Sequence, residues 1–320
     1  MNIIGLDISQ HTVDGYLIYS KGTRYFKANN NVDGFEQIKS LIKQNRLRNL
    51  AVCMEATGNY HENIANYLSK HYPVYVINPL QIKNYSKSLL QRNKTDKADA
   101  KLIAEYGLLH LNKLQQYIPP TVEQQQLQRW LALQYQLKKQ LTQTKNRLYA
   151  SQDNFVREVH QNIIMLLQTK LAEIAQKIYS LIKKQSYLWQ HYKNLLTIPG
   201  IGKETASLFL NYLDQRKFQS ANQFIAFVGL SPDTQQSGTS VKRTLGSGRY
   251  SNRRLKSAFF MPALVAYRLG VFGQLVKNLE RRKKPKMVIL GAIARKLAKI
   301  AYYLHKTNQP FDKARYQMAD

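Results

Sequence analysis

The chain is expected to fold as an α/β sheet domain followed by mostly helical segments, on three observations. Short apolar strands alternate with helical stretches through residues 1–80. Residues 121–190 contain no Pro and no Gly, and leucine recurs there at helical spacing. Residues 191–320 keep helical periodicity between Pro- and Gly-bearing turns. The expected domains are 1–118, 119–190 and 191–320.

Asn2–Ile8 reads as an apolar strand carrying a carboxylate, Asp7, near its end. Thr12–Tyr19 and Thr23–Lys27 read as two more strands. Gly15 and the Ser20-Lys21-Gly22 turn are taken to mark antiparallel hairpins. Val32–Gln44 has helical spacing in Phe35, Ile38, Leu41 and Ile42. Asn49–Glu55 is a buried strand that again ends in a carboxylate. Gly58 breaks the pattern, His61–Lys70 is a helix, and Val74–Ile77 is a strand stopped by Asn78-Pro79. Thr95 is a good N-cap for the amphipathic run Ala100, Leu102, Ile103, Tyr106 and Leu109. This order suits a mixed sheet covered by helices on both faces.

The carboxylates acquire meaning from that frame. A helix starting at Thr95 puts Asp96 and Asp99 on one face of its first turn, where the helix dipole favours anions. If the strands ending at Asp7 and Glu55 are neighbours, both side chains emerge at one sheet edge. Asp7, Glu55, Asp96 and Asp99 would then converge as oxygen ligands for a pair of divalent ions ~4 Å apart. Mg²⁺ suits such a site, with Mn²⁺ as the alternative.

Charge points to the partner. The 320 residues carry 48 Lys and Arg against 19 acids, a net +29 with a pI near 10.0. Residues 238–320 alone hold +16 of that charge. Such a balance argues for a polyanion, nucleic acid first. No apolar run approaches the ~20 residues of a membrane span, so a membrane is not expected as partner. The N-terminus lacks the basic and apolar regions of a signal peptide. The single Cys53 excludes an intramolecular disulfide and a Cys-based zinc site, and it fits a reducing cytosol.

Gly5-Leu6-Asp7, Met54-Glu55-Ala56-Thr57-Gly58-Asn59-Tyr60, Val76-Ile77-Asn78-Pro79 and Asn93-Lys94-Thr95-Asp96-Lys97-Ala98-Asp99-Ala100 resemble the DEDD transposases of the insertion-sequence 110 family. The likeness runs over nearly the whole chain. It implies an N-terminal domain of RNase H type, similar to the RuvC junction resolvase, with Asp7, Glu55, Asp96 and Asp99 as the metal-binding tetrad. It also implies a homodimer pairing into a tetramer, and a structured noncoding bridge RNA that pairs with target and donor DNA. The expected location is the prokaryotic cytoplasm, on the nucleoid when DNA is bound.

Leu127, Trp130, Leu131, Leu133, Leu137, Leu141 and Leu148 recur at helical spacing, and Ile163–Ile182 repeats the pattern. Two long helices follow from this, arranged as a coiled-coil hairpin. The resemblance makes that hairpin an arm for dimerisation and RNA contact; an internal helical core or a spacer is the plainer reading. Ile198-Pro199-Gly200-Ile201-Gly202-Lys203 resembles a helix-hairpin-helix turn, whose amides and following helix N-terminus face a phosphate. Gly229 to Arg243 reads as a polar, flexible loop. By the resemblance it holds the nucleophilic serine, matched by Ser237 with Ser240 as runner-up; chemistry alone does not choose between them. Lys242, Arg243, Arg249, Arg253, Arg254 and Lys256 are candidates for a phosphate track. Arg281, Arg282, Lys283, Lys284 and Lys286 form a basic loop before the Val288–Leu304 helix. The stretch Gly248-Arg249-Tyr250-Ser251-Asn252-Arg253-Arg254-Leu255-Lys256 keeps the family's Leu-basic pair but lacks the Gly of its usual Ser-Lys-x-Gly step.

The implied activity is DNA recombination by transesterification through a serine–DNA ester. Three other readings compete with it: a RuvC-like Holliday-junction endonuclease needing no serine, an RNA-independent site-specific invertase, and a non-catalytic nucleic-acid binder.

Overall fold

The structure is a computed structural model. It describes every residue except 57, 91–94, 238–240, 248–251 and 315–320, and at 233–237 and 241–247 it describes the backbone alone. The chain divides into two compact units, Met1–Pro119 and Pro120–Asp320.

In the first unit, β1 (Asn2–Ile8), β2 (Thr12–Tyr19) and β3 (Gly22–Asn29) form an antiparallel meander. Helix α1 (Val32–Gln44) follows, capped by the Asn31 side chain, which accepts from the Gly34 amide. Next come β4 (Leu50–Glu55), α2 (His61–Leu68) and β5 (Val74–Ile77). Parallel pairing of β4 with β1 and of β5 with β4 gives the order β3-β2-β1-β4-β5. Helices α3 (Pro79–Ser88) and α4 (Asp96–His110) close the unit. This is the mixed sheet expected from the strand pattern.

Alternation along the strands sorts side chains onto two faces. Ile4, Leu6, Ile8, Val13, Leu17, Val52 and Met54 pack with Phe35, Ile38 and Ile64 of α1 and α2. Ile3, Ala51, Cys53 and Ile77 pack with Leu102, Ile103 and Ala104 of α4. Odd-numbered positions of β1, Asp7 among them, therefore face α4. Gly15 does not mark a turn. It lies inside β2 opposite Phe26, whose ring fills the space a Cβ would need. The turn between β1 and β2 is instead closed by Ser9 and Thr12, whose hydroxyls are 2.9 Å apart.

The second unit opens with α5 (Val122–Ala150) and α6 (Asn154–Lys184), an antiparallel hairpin. A capping box between Thr121 and Gln124 starts α5, and the Asp153 side chain starts α6. Leu127, Leu131, Ile174, Ile178 and Ile182 at the base of the hairpin join the core of the helices that follow. The far end exposes Tyr149, Phe155 and Leu166. Then come α7 (Ser186–Leu196), α8 (Lys203–Gln215) and α9 (Ala221–Val228), which Gly229 ends in a left-handed turn at φ 85°.

The polar loop expected from Gly229 to Arg243 is instead mostly sheet. Strands β6 (Pro232–Ser237) and β7 (Val241–Ser247) pair antiparallel, with Ser237 opposite Val241. Its residues show no apolar alternation, so no strand period was visible; backbone pairing forms it. Helices α10 (Arg253–Ala258), α11 (Phe260–Arg268), α12 (Gly273–Arg281) and α13 (Lys286–Thr307) complete the unit. Phe209 of α8 stacks on Phe259 at 4.1 Å between ring centroids, and both are fully buried. Among the described residues no single helix is long and apolar enough to cross a membrane.

Candidate active site and nucleic-acid interface

Four carboxylates are brought together by one sheet edge and one helix start. Asp7 is the next-to-last residue of β1. The parallel register pairs Leu6 with Met54, so Glu55 at the end of β4 follows beside Asp7. Above this edge lies α4, which runs antiparallel to β1. Gly107 packs on Ile3 and Cys53, while Ala104 and Ala100 pack on Gly5. Asp99, next to Ala100, and Asp96, one turn back, follow toward the helix start. Thr95 sets that start, its hydroxyl accepting from the Ala98 amide at 3.2 Å.

The electrostatics register this convergence. The Asp7 carboxyl is pushed up from 3.8 to about 6, by burial first and then by the charges of Asp99, Glu55, Asp96 and Asp14. Mutual repulsion of carboxylates has this sign. Among the described residues, however, no three His, Cys, Asp or Glu side chains close on one metal position. The donors are all hard carboxylate oxygens, the chemistry that suits Mg²⁺ or Mn²⁺ rather than zinc or copper.

A fifth acid was missed. Asp14 is the register partner of Asp7 across the β1–β2 hairpin and is only 3% exposed. It accepts from the Tyr25 hydroxyl and pairs with Lys27 at 3.6 Å. Tyr25 is raised to about 12, chiefly by that hydrogen bond. The signal was available: a short turn between two strands places Asp7 and Asp14 opposite each other.

The expected phosphate contacts separate into different roles. Gly200 (φ 84°) takes the left-handed conformation, and a Cβ there would strike Pro262 of α11. Its need for glycine is met inside the fold. Gly202 caps α8 with open space around it, and Lys203 beside it is exposed, its ammonium 5.7 Å from the Tyr179 ring. Arg253 is exposed and Lys256 half-buried. Arg254 is turned inward: its guanidinium donates to the Leu131 carbonyl at 2.6 Å and lies over the Tyr135 ring. Burial also lowers its pKa. Arg281, Arg282, Lys283, Lys284 and Lys286 are all exposed around the α12–α13 turn. Ser237 ends β6, and Lys242 and Arg243 lie on β7 as backbone positions; Ser240 and Arg249 are outside the described residues. Arg295 of α13, absent from the sequence candidates, donates to the Leu230 carbonyl at 3.1 Å and braces the entry to β6.

Comparison with known proteins agrees along the chain. A DEDD transposase family model, described as Transposase, matches residues 4–155. The model described as Transposase IS116/IS110/IS902 family matches residues 192–276. The pilin gene-inverting protein of Moraxella bovis is 34% identical over 316 residues, covering 97% of both chains, and that of Moraxella lacunata is similar to the same extent. The transposase for insertion sequence element IS1328 of Yersinia enterocolitica is 26% identical, covering 82% of this chain and 85% of its own. Among solved structures, RuvC of T. thermophilus in complex with a Holliday junction substrate matches 37% of this chain and 99% of its own, at 12% identity and a TM-score of 0.29. By the two family models and the Moraxella relatives, the chain belongs to the IS116/IS110/IS902 family of transposases, enzymes of DNA recombination.

Proposed function

We propose that this recombinase cuts and rejoins DNA strands through a serine–DNA ester, using a divalent ion, Mg²⁺ or Mn²⁺, held by Asp7, Glu55, Asp96 and Asp99. The observation that carries the reading is the placement of Asp7 and Glu55 side by side at one sheet edge, against the helix whose first turn carries Asp96 and Asp99. A divalent ion bound there supplies Lewis-acid stabilisation of the phosphoryl oxygens and acidifies an attacking hydroxyl.

The nucleophile in this reading is Ser237, with Ser240 as runner-up, on the family resemblance. Its Oγ attacks phosphorus as the P–O bond to one DNA end breaks. The departing DNA oxygen takes a proton, and the phosphodiester energy stays in the Oγ–P bond. Attack by a second DNA hydroxyl then releases the serine and reseals a strand. Arg253, Lys256 and the basic α12–α13 turn hold DNA or RNA by its phosphates, contacts that position without reading bases. Sequence choice is delegated to a bridge RNA pairing with target and donor DNA, and the protein works as a homodimer pairing into a tetramer.

A trapping assay tests this. Purified protein with its co-expressed RNA is mixed with labelled target and donor DNA and Mg²⁺, then run on denaturing gels. Label migrating with protein, lost in Ser237→Ala and in Asp7→Ala, is the expected result. A band that survives Ser237→Ala but not Ser240→Ala moves the nucleophile three residues along. Cleavage without any adduct, insensitive to both serines, overturns the ester and leaves a junction nuclease.

A second reading has its own support. The Moraxella relatives, named for inverting a pilin gene, share 34% identity against 26% for the IS1328 transposase. In this reading the chain inverts DNA between two sites on one molecule. A plasmid with inverted sites recombining after RNase treatment would favour an RNA-independent invertase.

A further inference from the structure

The sheet and the helix of the carboxylate site are joined by a short chain of polar contacts. Asp14 lies in register with Asp7 and is buried. A buried carboxylate requires partners. Among the described residues, Asp14 finds them on the edge strand β3: the Tyr25 hydroxyl and the Lys27 ammonium. Tyr25 is itself 37% exposed, and the Lys97 ammonium lies over its ring, 5.5 Å from the centroid. Lys97 lies in the first turn of α4, between Asp96 and Asp99. Tyr25 thus touches both halves of the site. Close packing at Gly5 holds the body of α4 to the sheet, one turn further along the helix.

We propose that Tyr25 and Asp14 are positioning residues of the carboxylate site: Tyr25 ties the first turn of α4 to the sheet through Lys97 on one side and Asp14 on the other. The pair sets how Asp96 and Asp99 face Asp7. This inference rests on the reading of the four carboxylates as a cation site. The plain alternative is an edge-strand ion pair and tyrosine that serve folding only. Outer groups that orient metal-binding residues typically change affinity by about 10–100-fold when removed, whereas an edge ion pair leaves affinity alone.

The test measures Mn²⁺ binding to the full chain by electron paramagnetic resonance, with thermal melting in EDTA alongside. Tyr25→Phe removes the hydroxyl and keeps the ring beneath Lys97. The expected result is Mn²⁺ binding weakened about tenfold with the EDTA melting point unchanged. Asp14→Asn and Lys97→Met should weaken it to a similar degree, while Lys97→Arg, which keeps the cation over the ring, restores it. Affinity within about twofold of the parent in Tyr25→Phe, Asp14→Asn and Lys97→Met overturns the inference. Asp7→Ala separates the two levels. If it abolishes Mn²⁺ binding while the other three variants bind normally, only the positioning role falls. If Asp7→Ala binds as the parent does, the cation site falls and takes the positioning role with it. Should Tyr25→Phe lower the melting point, Lys97→Met, a surface change, carries the same comparison.

Discussion

Gly5 of β1 and Ala100 of α4 are in backbone contact: a Cβ on Gly5 would fall within 3.0 Å of the Ala100 carbonyl oxygen and of the Ala104 backbone. The helix rests directly on the strand there. Asp99 immediately precedes Ala100 and Asp96 stands one turn further toward the helix N-terminus, while two residues along the strand stands Asp7. The absence of a side chain at Gly5 therefore sets the height at which the acids meet.

Gly5→Ala is expected to lift α4 and to destabilise the Met1–Pro119 unit by about 1–3 kcal/mol, the usual cost of overpacking a filled core. The midpoint of urea unfolding should fall at constant slope. Mn²⁺ affinity should fall as well, because the two carboxylates of α4 move away from Asp7. An unshifted unfolding midpoint would show that the strand and helix are not held this close.

Asp7 gives the first unit a defined pH dependence. Its folded pKa, about 6, is above the ordinary 3.8. The unfolded chain therefore releases this proton first, and ionising Asp7 costs the fold. Without added metal, its contribution is full below about 3.8, declines as pH rises through 3.8 to 6, and is flat above. Asp7→Asn should remove that slope in chemical denaturation of metal-free protein. A divalent ion competes with the same proton, so its apparent affinity should fall as pH drops below about 6.

Gly200 and Lys203 are expected to separate folding from binding. Gly200→Ala meets a left-handed backbone and the Pro262 backbone together, and should lower the melting point clearly. Lys203→Gln sits in the open and should leave the melting point nearly unchanged. It should instead weaken binding to unrelated DNA sequences alike, and reduce the salt slope by about 1 if Lys203 meets a phosphate. An unchanged slope would leave Lys203 as the partner of the Tyr179 ring alone.

Acid should open the second unit from a particular place. His191 and His305 stack at 4.4 Å between ring centroids, and among the described residues His191 Nδ1 and His305 Nε2 have no hydrogen-bond partner. Burial, and then His191, lowers His305 from 6.5 to about 4. The unfolded chain binds this proton first, so stability from His305 is complete above 6.5 and is lost as pH falls toward 4. His305→Phe, similar in shape and unable to titrate, should flatten that part of the profile when unfolding is followed by Trp189 fluorescence. An unchanged slope would place the acid sensitivity elsewhere.

Much of this protein was legible without coordinates. Strand and helix positions follow from periods of two and near four residues, which a short stretch encodes by itself. Thr95 marked the start of α4 because an N-cap acts on amides two or three residues away. The order of Asp7, Glu55, Asp96 and Asp99 and the net charge of +29 needed only the chain. What the tertiary structure alone decided is non-local. The pairing of β1 with β2 placed Asp14 against Asp7, and Tyr25 beneath Lys97 joined β3 to α4. Packing against α11 gave Gly200 its reason, and the carbonyl of Leu131 drew Arg254 inward from an expected phosphate track. The β6–β7 hairpin escaped notice because a polar ribbon shows no apolar alternation. Local patterns report what a residue does to its neighbours in the chain. Register and helix height depend on distant residues meeting, and no stretch of a few residues contains both partners.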